Sequence, residues 1–366
     1  MFGTYDILFS FLVCLALIIL LKPVAIRIGL EDKPSARKHH NGHIPLIGGI
    51  AIFLTMIVAL FAYLGPVLDA DLISYLAAAG LLVIVGALDD RFHLNVKLRI
   101  FIEAIAASIM IFGAGQWIGN LGNLLGFGEL KMPFIVAYPF TLVAVFGIIN
   151  AFNMIDGIDG LSGGVALITI SVTLMFTQLS PPMSAIIPIL LGGLLAFLLC
   201  NLKLLPFLPK VFLGDAGSKL IGLTIVWLLI SVVVGESRRA TDSIAPATTL
   251  YLVGLPLFDM VATTLYRRRR GLSPFEPDRS HIHHILLDAG FSPRMALVII
   301  LGLAFAIAML GMLLNQAGAA EVVQFAVFFA LYLTYSAVTR RVLMGSQTDS
   351  HGSAEQSKGS AMSSSR

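Results

Sequence analysis

The chain has 366 residues, 57% hydrophobic and 12% charged, with a formal net charge of +3. A soluble globular domain carries about 25% charged residues, so this composition excludes an ordinary soluble enzyme, and so slight a positive balance gives no reason to expect a nucleic-acid partner. Cys14 and Cys200 lie in separate apolar stretches and suggest buried thiols, with neither a disulfide framework nor a metal-ligand spacing.

Apolar runs of about 17–25 residues can cross a bilayer as helices. Eleven are predicted, at 4–28, 47–64, 72–88, 99–117, 133–149, 163–180, 185–201, 218–235, 247–265, 295–315 and 321–339. The first lacks a basic leader and a small-residue cleavage site, so it reads as a retained span and not as a signal peptide. It is followed by the basic loop "EDKPSARKHHNGHIPLIGG" (31–49). The third run ends in "GALDDRF", with Asp89 and Asp90. The fifth leads into "NAFNMIDGIDGL" (150–161), where Asn150, Asn153, Asp156 and Asp159 recur at intervals of three. "VFLGDAGS", with Asp215, opens the eighth run, and "RRRRGLSPFEPDRSHIHH" (267–284) follows the ninth. After the last run comes a Ser/Gly-rich tail without apolar period, expected to be disordered. The predicted organisation is thus one transmembrane catalytic domain over 1–340 and a cytoplasmic tail over 341–366, an all-α polytopic membrane protein.

An external N-terminus leaves every Lys and Arg on the cytoplasmic side except Lys131, Arg238 and Arg239, which is the bias that membrane insertion favours. The same orientation gathers the five acids, the Asn/Asp series and both basic loops on one face. Each fragment has a plainer reading alone. Asn and Asp cap helices and shape turns beside glycine, and "RRRR" serves topology. "HIHH" could be a solvated helix face; without cysteines or an HExxH pattern it gives little support for zinc.

The conjunction points elsewhere. Crowded carboxylates repel one another unless a cation is present. Asp together with Asn carbonyl oxygen suits Mg²⁺, or Mn²⁺, with waters and substrate phosphates completing the shell. Basic loops neutralise the remaining phosphate oxygens, and glycines let backbone approach a ligand. These are the parts of a diphosphate site, and its place at the membrane rim implies that one reactant is a lipid.

In "GALDDRF", "NAFNMIDGIDGL", "VFLGDAGS", "SPFEPDRSHIHH" and "IPLIGG" the chain resembles the polyprenyl-phosphate N-acetylhexosamine-1-phosphate transferases, in the family's order and over roughly residues 1–340. The resemblance implies a multi-pass enzyme of the bacterial cytoplasmic membrane. It would transfer N-acetylglucosamine 1-phosphate from UDP-N-acetylglucosamine to undecaprenyl phosphate, releasing UMP and initiating O-antigen or a related surface glycan. By the same resemblance Asn153 and Asp215 are the magnesium ligands, and Asp89 and Asp90 lie near the lipid phosphate. Asp156 and Asp159 line the nucleotide site, Lys97 and the His281 cluster contact the diphosphate, and the Arg267–Arg270 loop reads the sugar. We therefore expect Asp89, Asp90, Asp156 and His281 to be catalytic. Lys97, Asn150, Asp159, Arg267, Arg268, Arg279, His283 and His284 are expected to bind substrate. His93 stands after "DDRF" where close relatives would carry an acid.

Several alternatives stay open. Within the family the sugar could be another UDP-N-acetylhexosamine or UDP-MurNAc-pentapeptide, and the transfer could be direct or pass through an aspartyl-phosphate. From another class, an ion-coupled transporter would also carry intramembrane acids, although at mid-membrane and not gathered beside arginines. An intramembrane aspartyl protease needs glycine where Phe212 stands. The sequence is compatible with a homodimer and does not specify one.

Overall fold

A computed structural model describes residues 4–32, 42–64, 69–234, 244–273 and 278–363. The basic part of the first loop (33–41) and residues 274–277 of the second fall outside them. Among the described residues the chain forms thirteen α-helices and one two-stranded antiparallel ribbon. They are α1 (Thr4–Ile28), β1 (Glu31–Asp32), β2 (Ile44–Pro45), α2 (Gly48–Leu64), α3 (Ala70–Phe92), α4 (Val96–Ala114) and α5 (Phe134–Ile155). The rest are α6 (Leu161–Phe176), α7 (Met183–Asn201), α8 (Gly214–Val234), α9 (Pro246–Leu252), α10 (Gly254–Arg269), α11 (Ile282–Asp288), α12 (Pro293–Gln316) and α13 (Glu321–Ser363).

All eleven apolar stretches are helical, so the all-α polytopic class holds. By length and composition, however, seven helices qualify to cross a bilayer, and the α9–α10 pair makes eight if counted as one bent span. The stretches that fall short are α2 and α6, at 17 and 16 residues, and α4, which carries Lys97, Arg99 and Glu103. Large apolar side chains face outward: Leu20, Ile135, Val143 and Val298 are 65–82% exposed, as a lipid-facing surface requires. The helix α13 continues past its span Glu321–Met344 to Ser363, through the stretch expected to be disordered. That stretch contains no proline to stop a helix already begun.

The most deeply buried helix is α8, which packs against α2, α3, α5 and α6. Tyr75 on α3 shares a 2.7 Å hydrogen bond with Thr224 of α8, and its ring meets Trp227 edge-on at 5.4 Å. Around this centre, α1 lies along α7 and α2, and α12 lies on α6 and α9. The break between α9 and α10, a bend of 77°, follows from Pro256, which has no N–H to give the carbonyl of Leu252. The Thr169 hydroxyl donates to that carbonyl instead, at 2.6 Å.

Two motifs far apart in sequence interlock at one end of α8. Leu46 bridges Phe212 in parallel, and the N–H groups of Gly48 and Gly49 donate to the carbonyls of Phe212 and Leu213 at 2.9 and 3.0 Å. A Cβ on Gly49 would stand 2.1 Å from the Gly217 nitrogen, so α2 and α8 touch backbone to backbone. The start of α8, with Asp215, is thereby held against the end of the first loop.

Candidate active site

The C-terminal end of α3 delivers the acidic pair. His93, at φ 52°, caps that helix in the left-handed region, and its N–H donates to the Asp89 carbonyl. The turn brings Leu94 N–H to Asp89 Oδ1 at 2.8 Å and starts α4, whose N-cap Asn95 accepts from Lys97 N–H. One helical turn further, Arg99 donates to Asp89 Oδ2 at 2.9 Å and lies 3.8 Å from Asp215. Lys219, 2% exposed, stands 3.4 Å from Asp89, 3.5 Å from Asp215 and 4.0 Å from Glu103. Two cations thus hold three carboxylates of three helices in one cluster.

The second acid of the pair is placed differently. Asp90 Oδ1 accepts the Asp215 N–H at 3.0 Å, while its Oδ2 is buried without a partner among the described residues. Asn153, near the end of α5, donates to Asp215 Oδ1 at 3.0 Å and Ser218 Oγ at 2.9 Å. Asp89, Asp90, Asn153 and Asp215 are therefore brought together as expected. Asp156 follows directly on α5. Burial, then the charges of Asp215, Asp90 and Asp159, push its carboxyl up to about 8.

The donor set fits a hard divalent cation. Among the described residues no three His, Cys, Asp or Glu side chains converge on one metal position. Mg²⁺ asks for less, since one or two carboxylates and substrate phosphates suffice. Asp215 and the amide of Asn153 could serve, with the Asn153 amide turned to present its oxygen.

Other expected residues lie around the cluster or apart from it. Asp159 sits on the exposed turn before α6, pairs with Lys210 and faces Asn201 Nδ2 at 3.5 Å. Asn150 gives its amide hydrogens to Glu103 at 2.7 Å and to the Phe146 carbonyl, which places it in the protein's own packing. Lys97 and Arg268 are exposed on α4 and α10. Arg279 pairs with Asp288 at 2.5 Å. Arg267 is buried against Asp278 at 2.6 Å and His281 at 3.1 Å. Burial opposes ionisation of Asp278, but hydrogen bonds from Arg267 and Ser280 outweigh it and hold the carboxyl below its usual range.

The histidine segment meets the Asn/Asp turn directly: a Cβ on Gly157 would lie 2.0 Å from His283 Nε2. Burial, then the neighbouring His284 and His281, push His283 down to about 3.

Residues 72–233 match the family described as glycosyl transferase family 4. Over 340 residues the chain is 40% identical to the undecaprenyl-phosphate alpha-N-acetylglucosaminyl 1-phosphate transferase of Yersinia pestis, an alignment covering 92% of this chain and 91% of that protein. The chain belongs to the polyprenyl-phosphate N-acetylhexosamine-1-phosphate transferase family. Proteins of the same name from Escherichia coli O157:H7 and Haemophilus influenzae are 39% and 38% identical. The first alignment covers 92% of this chain and 90% of that protein, the second 90% and 92%.

For a member of this family, the sequence reading missed the residues that hold the acids in place. Lys219 left one signal, a cation four residues after Asp215 inside an apolar helix. Arg99 left none beyond its charge. Asp259, buried in α10, was a lone acid in an apolar run, and that alone marked it.

Proposed function

We propose that this chain transfers N-acetylglucosamine 1-phosphate from UDP-N-acetylglucosamine to undecaprenyl phosphate, giving undecaprenyl-diphospho-N-acetylglucosamine and UMP. The observation that carries the reading is the cluster of Asp89, Asp90, Asn153 and Asp215 around Lys219 and Arg99, in a chain so similar to proteins of that name. The chain would lie in the bacterial cytoplasmic membrane with eleven membrane-embedded helices, an external N-terminus and this cluster on the cytoplasmic side. The asymmetry of its Lys and Arg residues supports that orientation.

In the proposed reaction an oxygen of the lipid phosphate attacks the phosphorus that bears the sugar. The bond from that phosphorus to the bridging oxygen breaks, and the electron pair leaves with UMP. The lipid phosphate's second pKa is about 6, so most of it needs no base. Any residual proton would pass to Asp90, whose Oδ2 is free of other duties, whereas both Asp89 oxygens are engaged. Asp89 then serves to fix Arg99 and Lys219. Positioning and charge neutralisation supply the catalysis, and Mg²⁺ held by Asp215 and Asn153 would neutralise charge on the diphosphate. The turn carrying Asp156 and Asp159 would take the nucleotide.

The deciding experiment supplies the purified full chain with undecaprenyl phosphate, Mg²⁺ and a panel of UDP-sugars, and measures UMP. Release with UDP-N-acetylglucosamine above all others is expected; release with none would overturn the proposal. Direct displacement also predicts inversion at phosphorus, and retention would replace it with a two-step route.

A further inference from the structure

Asp259 belongs to no motif of the sequence reading, yet it is 2% exposed and wholly engaged. Its Oδ2 accepts from His281 Nδ1 at 2.7 Å. Its Oδ1 accepts from the Ile282 N–H and from the Tyr335 hydroxyl, each at 2.8 Å. One carboxylate therefore ties α10 to the first residues of α11 and to α13.

That bond also decides the histidine's tautomer. A carboxylate acceptor requires the hydrogen on Nδ1, which leaves a lone pair on Nε2. Arg267 Nη2, a donor with no acceptor capacity, lies 3.1 Å from that nitrogen. Arg267 is anchored in turn on Asp278. Both His281 nitrogens are thus committed inside the protein and its ring is buried, so it has nothing to offer a substrate. His283 and His284 differ: the Nδ1 of each is without a partner among the described residues. The His283 ring stacks on His281 at 5.6 Å with 4° between planes, and its Nε2 overhangs Gly157.

We propose that Asp259, backed by Tyr335 and Arg267, is a positioning residue for the sugar-phosphate transfer. It clamps His281 as a hinge that holds His283, with His284 beside it, against the Asp156–Gly157 turn, which would receive the UDP-sugar. The clamp rests on the function proposed above. An isosteric Asp259→Asn cannot satisfy it, since the amide nitrogen must then face His281, Ile282 N–H or the Tyr335 hydroxyl, all of which donate to Asp259.

The test is steady-state kinetics of the full chain with UDP-N-acetylglucosamine and undecaprenyl phosphate, on variants whose folding is verified by their melting in detergent. A displacement of about 1 Å can cost on the order of a hundredfold in rate. Asp259→Asn should therefore lose tenfold or more in kcat, with KM for the lipid unchanged. Tyr335→Phe, which keeps the His281 bond, should lose less in the same pattern. The double variant Asp259→Asn/His281→Asn should be no slower than the slower single, because both act along one path. Wild-type kcat in Asp259→Asn overturns the clamp, as do losses that multiply in the double variant. Should Asp259→Asn fail to fold, an unchanged kcat in Tyr335→Phe overturns it as well. If the wild-type chain releases no UMP, the functional reading falls and takes the clamp with it; active wild type with insensitive variants removes the clamp alone.

Discussion

Lys219 stands between Asp89, Asp215 and Glu103 with almost no exposure to solvent. Removing one partner of a buried ion network leaves uncompensated charge, at a cost of about 3–5 kcal/mol. Lys219→Met should therefore lower the melting temperature sharply and abolish turnover; a variant as stable as wild type would show that the three acids do not depend on this ammonium. Gly157 allows a separate test, because its Cα faces His283. Gly157→Ala should drive that ring away and reduce kcat while the protein still folds, and an unaffected rate would deny the contact any part in catalysis. The acids could be read from the sequence because each stands at or near the end of an apolar run. Lys219 and Arg99 could not, since their meaning lies in pairings across helices, and such pairings have no spacing along the chain.

At the level of helices, α8 meets α2 in close backbone contact. A Cβ on Gly49 would lie 2.1 Å from the Gly217 nitrogen, and neither neighbour is a side chain that can turn aside. Gly49→Ala should thus reduce the yield of folded protein and broaden its melting transition, which size-exclusion profiles in detergent would reveal. Hydropathy located all eleven helical stretches, because lipid forces every backbone group into internal hydrogen bonds and the apolar length is written in the residues. It did not foresee the 77° break before α10. That break needs Pro256 together with a hydroxyl from α6 that donates to the freed carbonyl, and the second half of that arrangement is tertiary. Nor did hydropathy separate full spans from the shorter α2 and α6.

Across the whole molecule, acid should loosen the face that carries the histidines. His283 titrates at 6.5 ordinarily and at about 3 in the fold, so the unfolded chain binds the proton more readily between those values. Its contribution to stability is complete above about pH 6.5 and declines as the pH falls towards 3. From pH 7 to pH 4 the melting temperature of the wild type should accordingly fall relative to that of His283→Gln; an equal slope in both proteins would deny that His283 is buried uncharged. The topology is checked by fusing a reporter to each end, with cytoplasmic fluorescence expected at the C-terminus and none at the N-terminus.

The placement of Lys219 has a consequence for biogenesis. A ribosome builds the chain from its N-terminus, so Asp89 and Glu103 enter the bilayer before the ammonium that answers them exists. Until α8 arrives, the half-made protein keeps two acids at the membrane without this counter-ion. Nascent chains arrested short of residue 219 should therefore be the species that quality-control proteases remove fastest.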